Sequence, residues 1–153
     1  MSASPPEIWF YHLERSSLEA TLPPLLERCL SRGWRAIVRG GLRERLEALD
    51  VALWTYRDDS FLPHGLDDAP GPERQPVLLT TQGGNPNAAQ ALFALDGADV
   101  GDAAGFTRTC LVFDGRDDAA LSGARARWKA LKQAGAKLAY WRETPDGRWE
   151  KQQ

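Results

Sequence analysis

Apolar positions along the chain change their period several times, and each change marks an element. Residues 8–13, Ile-Trp-Phe-Tyr-His-Leu, are almost wholly apolar or aromatic, the pattern of a strand buried on both faces. Ser16 or Ser17 can cap a helix, and Leu18, Leu22, Leu25, Leu26, Cys29 and Leu30 then recur at helical spacing to about Arg32. Pro23 and Pro24 fall inside this stripe and predict a kink, or a helix that restarts with proline in its first turn. Gly33 closes the segment, and residues 34–38 read as a second strand. After Gly40-Gly41 a helix is predicted with Leu42, Leu46, Leu49 and Leu53 on one face. A β-α-β-α opening of this kind favours a parallel sheet covered by helices.

Beyond Trp54 the periodicity stops. Residues 55–75 make a long polar connection rich in proline and glycine, and such loops in compact domains are usually functional or disordered. A strand resumes over 76–80, followed by a turn-rich loop over 82–87. Residues 88–95 support two readings: the alanines favour helix, while Ala91-Leu92-Phe93-Ala94-Leu95 fits a short buried strand. Residues 109–113 predict a strand and 117–134 a helix, closed by Gly135. A last strand is predicted over 137–142, and Pro145-Asp146-Gly147 turns the chain into Arg148-Trp149-Glu150. With no internal repeat, low-complexity block or linker, residues 1–153 are expected to form a single α/β domain.

Composition narrows the class. Hydrophobic residues at 42% and charged residues at 26% of 153 positions describe a soluble globular chain with enough length for a real core. The net charge of -2 argues against binding of duplex DNA by the chain as a whole. Cys29 and Cys110 lie in different segments without metal-ligand spacing, as small buried hydrophobes of a reducing compartment do. The first residues carry no secretory signal, and no apolar run approaches the ~18 residues of a membrane span. A cytoplasmic protein without membrane contact is expected.

Reactive constellations are thin. Gly40-Gly41 after a strand is where a phosphate-binding loop could sit, but GxGxxG is absent and no P-loop Lys-Ser/Thr follows. A small nucleotide-binding or enzymatic domain using that turn is therefore the alternative reading. His12 and His64 lack a nucleophile elbow or an evident partner. Asp58-Asp59 and Asp67-Asp68 fit loop solvation, and Asp117-Asp118 suits a helix N-terminus. No catalytic residue, metal or cofactor is expected; a binding protein is.

Two segments carry binding chemistry. Trp54, Tyr56 and Phe61 stand in or beside a polar loop, where aromatic residues serve either as hot spots for a partner or as tacks onto the core. In the helix over 117–134, Leu121, Ala124, Trp128 and Leu131 form the apolar stripe, while Arg125, Lys129 and Lys132 share the adjacent face. That face is either solvated or a site for an acidic peptide, with arginine gripping a carboxylate and the indole offering an apolar surface. Lys137 and Arg142 extend the basic character of the C-terminal third.

These segments also carry a resemblance. Phe10-Tyr11-His12-Leu13, the run from Leu53-Trp54 to Ser60-Phe61-Leu62-Pro63-His64, Pro76-Val77, and Arg125-Ala126-Arg127-Trp128-Lys129 before Gly135 are collinear with the chi subunit of bacterial DNA polymerase III. The resemblance implies a three-layer α/β/α fold with a mostly parallel open sheet of Rossmann-like topology. It implies a non-catalytic adaptor joining the clamp loader to single-stranded-DNA-binding protein (SSB), and so reaching DNA indirectly. The acidic C-terminal tail of SSB would lie on Arg125, Trp128, Lys129 and Lys132. The psi subunit, the clamp loader or a helicase would dock on Trp54, Phe61, Pro63 and His64. Some relatives have lysine one helical turn before the arginine, where this chain has Leu121.

Overall fold

The computed structural model describes residues 7–55, 63–68, 70–95, 97–100, 105–146 and 148–152. The apolar runs become strands β1 (Glu7–Leu13), β2 (Ala36–Arg39), β4 (Val77–Thr80), β5 (Ala91–Leu95), β6 (Arg108–Asp114) and β7 (Lys137–Glu143). Two short strands, β3 (Gly65–Leu66) and β8 (Trp149–Lys151), extend the edges. The order across the sheet is β3-β4-β2-β5-β6-β1-β7-β8, and every neighbouring pair is parallel except β7 and β8. Every residue of β2, β4 and β5 is buried, which is why these runs show no alternation in the sequence. The ambiguous stretch resolves here: the chain is strand from Ala91, with Ala91 opposite Ala36 on β2 and Arg108 on β6.

Helices α1 (Leu18–Ser31) and α2 (Arg43–Trp54) cover one face, and α3 (Asp118–Gln133) covers part of the other. Alternation along β1 feeds both layers. Tyr11 and Leu13 join Leu22, Leu26, Leu46 and Leu49, whereas Ile8 and Phe10 join Leu111, Ala124 and Trp128. The chain is thus the three-layer α/β fold expected of it. Ser17 caps α1 by accepting from the Ala20 N–H at 3.2 Å. The helix continues through Pro23 and Pro24 rather than restarting there. Their missing N–H groups would have bonded the carbonyls of Glu19 and Ala20, so the loss is confined to the first turn, whose opening bond from the Thr21 N–H to the Ser17 carbonyl is kept at 3.1 Å. Leu42 departs from expectation more clearly. The helix starts one residue after it, leaving it as the cap, 61% exposed and outside the buried stripe of Leu46, Leu49 and Leu53.

Connections diverge at the β6–β1 pair. β1 leads through α1 to β2 on one side, and β6 leads through α3 to β7 on the other. The strand ends there open a crevice, as parallel α/β sheets do at such switch points. It holds a cavity of about 650 Å³ bordered by Leu13, Ser17, Asp114 and Gly123. At the far end of β2 the buried Arg39 donates to the carbonyls of Gln82, Gly84 and Asp99, each at 3.0 Å, and so fixes two loops over the strand ends.

Glu143 fastens the turn between β1 and α1. Its buried carboxylate accepts from the backbone N–H groups of Glu14, Arg15 and Ser16 at 3.1, 2.8 and 2.9 Å, and from the Ser16 hydroxyl. Burial alone would raise its pKa, but these donors outweigh it and hold the group down at about 2. A carboxylate held below its ordinary 4.5 stabilises the fold above that pH, and the contribution fades as pH falls toward 2. The linkage is worth on the order of 3 kcal/mol. Glu143→Gln is therefore expected to lower stability in urea denaturation at neutral pH, with the gap to wild type narrowing toward pH ~2 as the native carboxylate protonates. A gap that stays constant with pH would contradict this.

Candidate functional site

Local sequence rules build α3. The Asp117 carboxylate accepts from the N–H groups of Ala119 at 3.0 Å and Ala120 at 3.3 Å, and Gly135, at φ +84, lets the chain leave the helix. Small residues line the inner face, and Ala124 alone is fully buried among the described residues of the helix. Trp128 and Leu131, both half-buried, supply further anchorage. The Trp128 indole meets Phe10 edge-on at 5.3 Å between ring centroids and Tyr140 at 5.6 Å.

This packing sets where the cations stand. Arg125, Lys129 and Lys132 are exposed, and among the described residues they make no hydrogen bond or ion pair. Arg127 turns to the opposite flank of α3 and donates to the Gly97 carbonyl. The cavity lies on that opposite flank as well, with Arg127 and Gly123 in its wall and without Arg125 or Trp128. Arg125 and Trp128 therefore belong to a shallow ledge rather than to an enclosed pocket. Such a ledge can hold a carboxylate against the guanidinium and an apolar ring against the indole.

The ledge has a second wall that periodicity does not reveal. Tyr140 and Leu138 on β7 are half-buried beside Trp128, and Arg142 is exposed at the strand end, its Nε 2.8 Å from Glu14. Behind Tyr140 lies the buried His12, with Nδ1 2.7 Å from the tyrosine hydroxyl and Nε2 3.4 Å from Glu14. Burial pushes the His12 imidazole below its ordinary pKa; Glu14 opposes that push, and Arg142 and Arg125 add to it. The backbone of Gly115 lies directly on the ring, where a Cβ would come 1.9 Å from Nε2.

On the other face, Trp54 closes α2, 55% exposed, and lies over the His64 ring at 4.2 Å. His64 itself is buried, its Nε2 3.1 Å from the Asp50 carbonyl and 3.2 Å from the Asp50 carboxylate. It anchors the chain beneath the indole. Pro63 is half-buried beside it, and Phe61, with the rest of 56–62, lies outside the described residues. Val51, one turn before Trp54, is 61% exposed. Sequence reasoning missed it, although an apolar pair three residues apart and off the Leu46-Leu49-Leu53 stripe was a usable signal.

The other candidates have structural occupations. Gly40 is buried against Leu46, where a Cβ would come 3.1 Å from Cδ2. The cavity of about 630 Å³ beside Gly40 and Gly41 has Arg39 as its cation among the described lining residues, and that guanidinium already serves main-chain carbonyls. Asp67 and Asp68 both bind Arg43 at 2.7 Å, while Asp58 and Asp59 lie outside the described residues. Both cysteines are buried, with burial raising their pKa values. Among the described residues no group of three or more acids, histidines or cysteines could hold a metal, and no helix is long and apolar enough to cross a membrane.

A family model described as DNA polymerase III chi subunit, HolC, matches residues 6–139. A protein of Rickettsia prowazekii (strain Madrid E), named "Probable DNA polymerase III subunit chi", is 29% identical over 90 residues. That match covers 59% of this chain and 54% of the relative, so it spans about half of the relative's length.

The contact between Gly115 and His12 makes a direct prediction. Gly115→Ala must displace a buried, hydrogen-bonded ring or the turn above it, and is expected to cost roughly 1–3 kcal/mol in urea denaturation. An unchanged midpoint would mean that the turn yields freely.

Proposed function

Because the chain belongs to the DNA polymerase III chi subunit family, we propose that it is a non-catalytic replisome adaptor linking the clamp loader to SSB. In this reading the ledge on α3 holds the acidic, phenylalanine-ended tail of SSB. The observation that carries it is the set of exposed cations Arg125, Lys129 and Lys132, free of internal partners among the described residues, beside the half-exposed ring of Trp128. An arginine in an internal ion pair would have to abandon one carboxylate to take another; Arg125 has no such cost. Its fork can meet the terminal carboxylate with two parallel hydrogen bonds, the lysines meet the acidic residues before it, and the indole receives the phenyl ring. Leu121, half-buried one turn before Arg125, adds apolar surface there instead of charge.

Charge-assisted contacts of ~1.5–3 kcal/mol each, less the cost of ordering a flexible tail, give roughly micromolar affinity. Several tails on one SSB oligomer then raise the avidity without any new contact.

The second docking surface is the end of α2, where Trp54 and Val51 stand exposed and Pro63 follows. Its partner is psi, another clamp-loader subunit or a helicase. His64 acts there from beneath, by holding the chain under Trp54, and Phe61 is assigned to the same partner on the resemblance to the family. The two surfaces lie on opposite faces of the sheet, so both partners can be held at once.

Arg125→Ala is expected to weaken a labelled SSB-tail peptide at least several-fold in fluorescence anisotropy while leaving the unfolding midpoint in place; unchanged affinity refutes the assignment of the ledge. Phe61→Ala is expected to abolish pull-down of the clamp-loader or helicase partner and to spare SSB. Loss of both partners together would show one shared surface or a damaged fold, and a denaturation curve separates those two.

A further inference from the structure

Tyr140 stands between the ledge and a buried histidine, and the state of one sets what the other can donate. Glu14 faces Nε2 of His12 at 3.4 Å, and a carboxylate only accepts. The neutral ring therefore keeps its hydrogen on Nε2, leaving Nδ1 to accept the Tyr140 O–H across 2.7 Å. In that state the tyrosine's single donor points inward and is spent. When the imidazole gains a second proton, Nδ1 becomes a donor to the Tyr140 oxygen, and the phenolic hydrogen is free to turn outward.

We propose that His12 and Tyr140 form a proton-linked element of the α3 ledge, in which protonation of the imidazole releases the Tyr140 hydroxyl to donate to an incoming carboxylate and adds positive charge behind Arg125. This rests on the reading of the ledge as a site for an acidic tail and adds to it a contact residue, Tyr140, and a positioning residue, His12. The geometry favours the arrangement from each element packed on the imidazole. Glu14 follows β1, Asp114 ends β6, Tyr140 and Arg142 come from β7, and Arg125 comes from α3. Gly115 seals the ring from above, and Phe113 lies beside it at 5.1 Å between centroids, so the imidazole has little freedom to leave Tyr140. Tyr140 meets Trp128 edge-on, which keeps the tyrosine ring against the indole of the ledge.

The sign follows from linkage. In the free protein, burial and the nearby arginines keep His12 neutral to below its ordinary pKa, with Glu14 and Asp114 pulling the other way. An anion bound on the ledge screens Arg125 and favours the imidazolium, so binding draws in a proton. Affinity for an acidic tail then rises as pH falls from the bound-state pKa toward the free-state pKa, and levels off below it. Protonation of the tail's own carboxylates reverses the gain only at lower pH, near ~4.

The test is fluorescence anisotropy at fixed ionic strength with a labelled peptide of acidic residues ending in phenylalanine with a free carboxylate. Wild type is expected to gain about threefold to tenfold in affinity between about pH 7.5 and about pH 5.5. His12→Gln is expected to show a flat profile, and Tyr140→Phe a weaker affinity and a smaller rise. Binding lost in Arg125→Ala, with the same pH profile in wild type and His12→Gln, overturns the proton link alone. Binding unchanged by Arg125→Ala overturns the ledge reading and the link with it. NMR titration of the His12 imidazole in the wild-type protein needs no variant to fold: its pKa is expected to rise on saturation with the peptide, and an unmoved value overturns the proposal.

Discussion

Much of what the α3 face presents depends on Trp128 being wedged edge-on between Phe10 of β1 and Tyr140 of β7. Beside it the helix packs only the half-buried Leu131 and the small Ala124 into the same cluster, among the described residues. Ala124 is its one fully buried side chain among the described residues, and the cavity on the Arg127 flank leaves that side thinly packed. The indole therefore fixes the rotation of α3 about its own axis, and rotation decides which residues face solvent. A turn of one residue position, about 100°, would carry Arg125 off the ledge. The same ring is offered to a ligand on the proposed reading, so the group that positions the cations also forms the apolar surface between them.

The two helical layers differ in how they are held. α1 and α2 bury continuous leucine stripes against β1, β2, β4, β5 and β6, and loss of one leucine leaves many neighbours in place. α3 relies on ring edges meeting ring faces, a directional contact that tolerates substitution poorly. A partly apolar helix face beside an uncovered strand is what a binding ledge requires, and the cost is a layer with fewer buried anchors. Glu143 compensates at the strand end, where one buried carboxylate satisfies three backbone donors of the β1–α1 turn next to Glu14 and so steadies the chain beside His12.

The legible parts of the chain were those in which a period maps sequence onto a face. Arg125, Trp128 and Lys129 could be placed together because 3.6 residues per turn fixes their neighbours. The parallel sheet was legible from its fully apolar runs and the helices between them. Ala91 to Leu95 was not, since a short run buried on both faces has no period to separate strand from helix. Leu42 was misplaced because the helix start lacks a side-chain cap that would have marked it. The pairing of His12 with Tyr140 escaped for a different reason. His12 meets Tyr140 across 128 positions of chain, and their meeting depends on β1 and β7 being sheet neighbours, which order along the sequence does not state.

Shallowness has a functional consequence of its own. Exposed cations at the rim of a site steer an acidic partner into contact and speed its capture, whereas deeply buried anchors chiefly slow its release. On the proposed reading the ledge has several of the first kind and a single half-buried indole of the second. Such a site exchanges its ligand readily and weakens as salt screens its charges over a Debye length of about 8–10 Å. An adaptor that must release one tail and take the next is better served by this balance than by an enclosed pocket. The cavity on the opposite flank has three arginines among its described lining residues, but each is already committed, Arg127 to the Gly97 carbonyl, Arg45 to Glu19 and Arg116 to Asp114. The free charge stands on the open flank, and the geometry that keeps it free is the one that denies it depth.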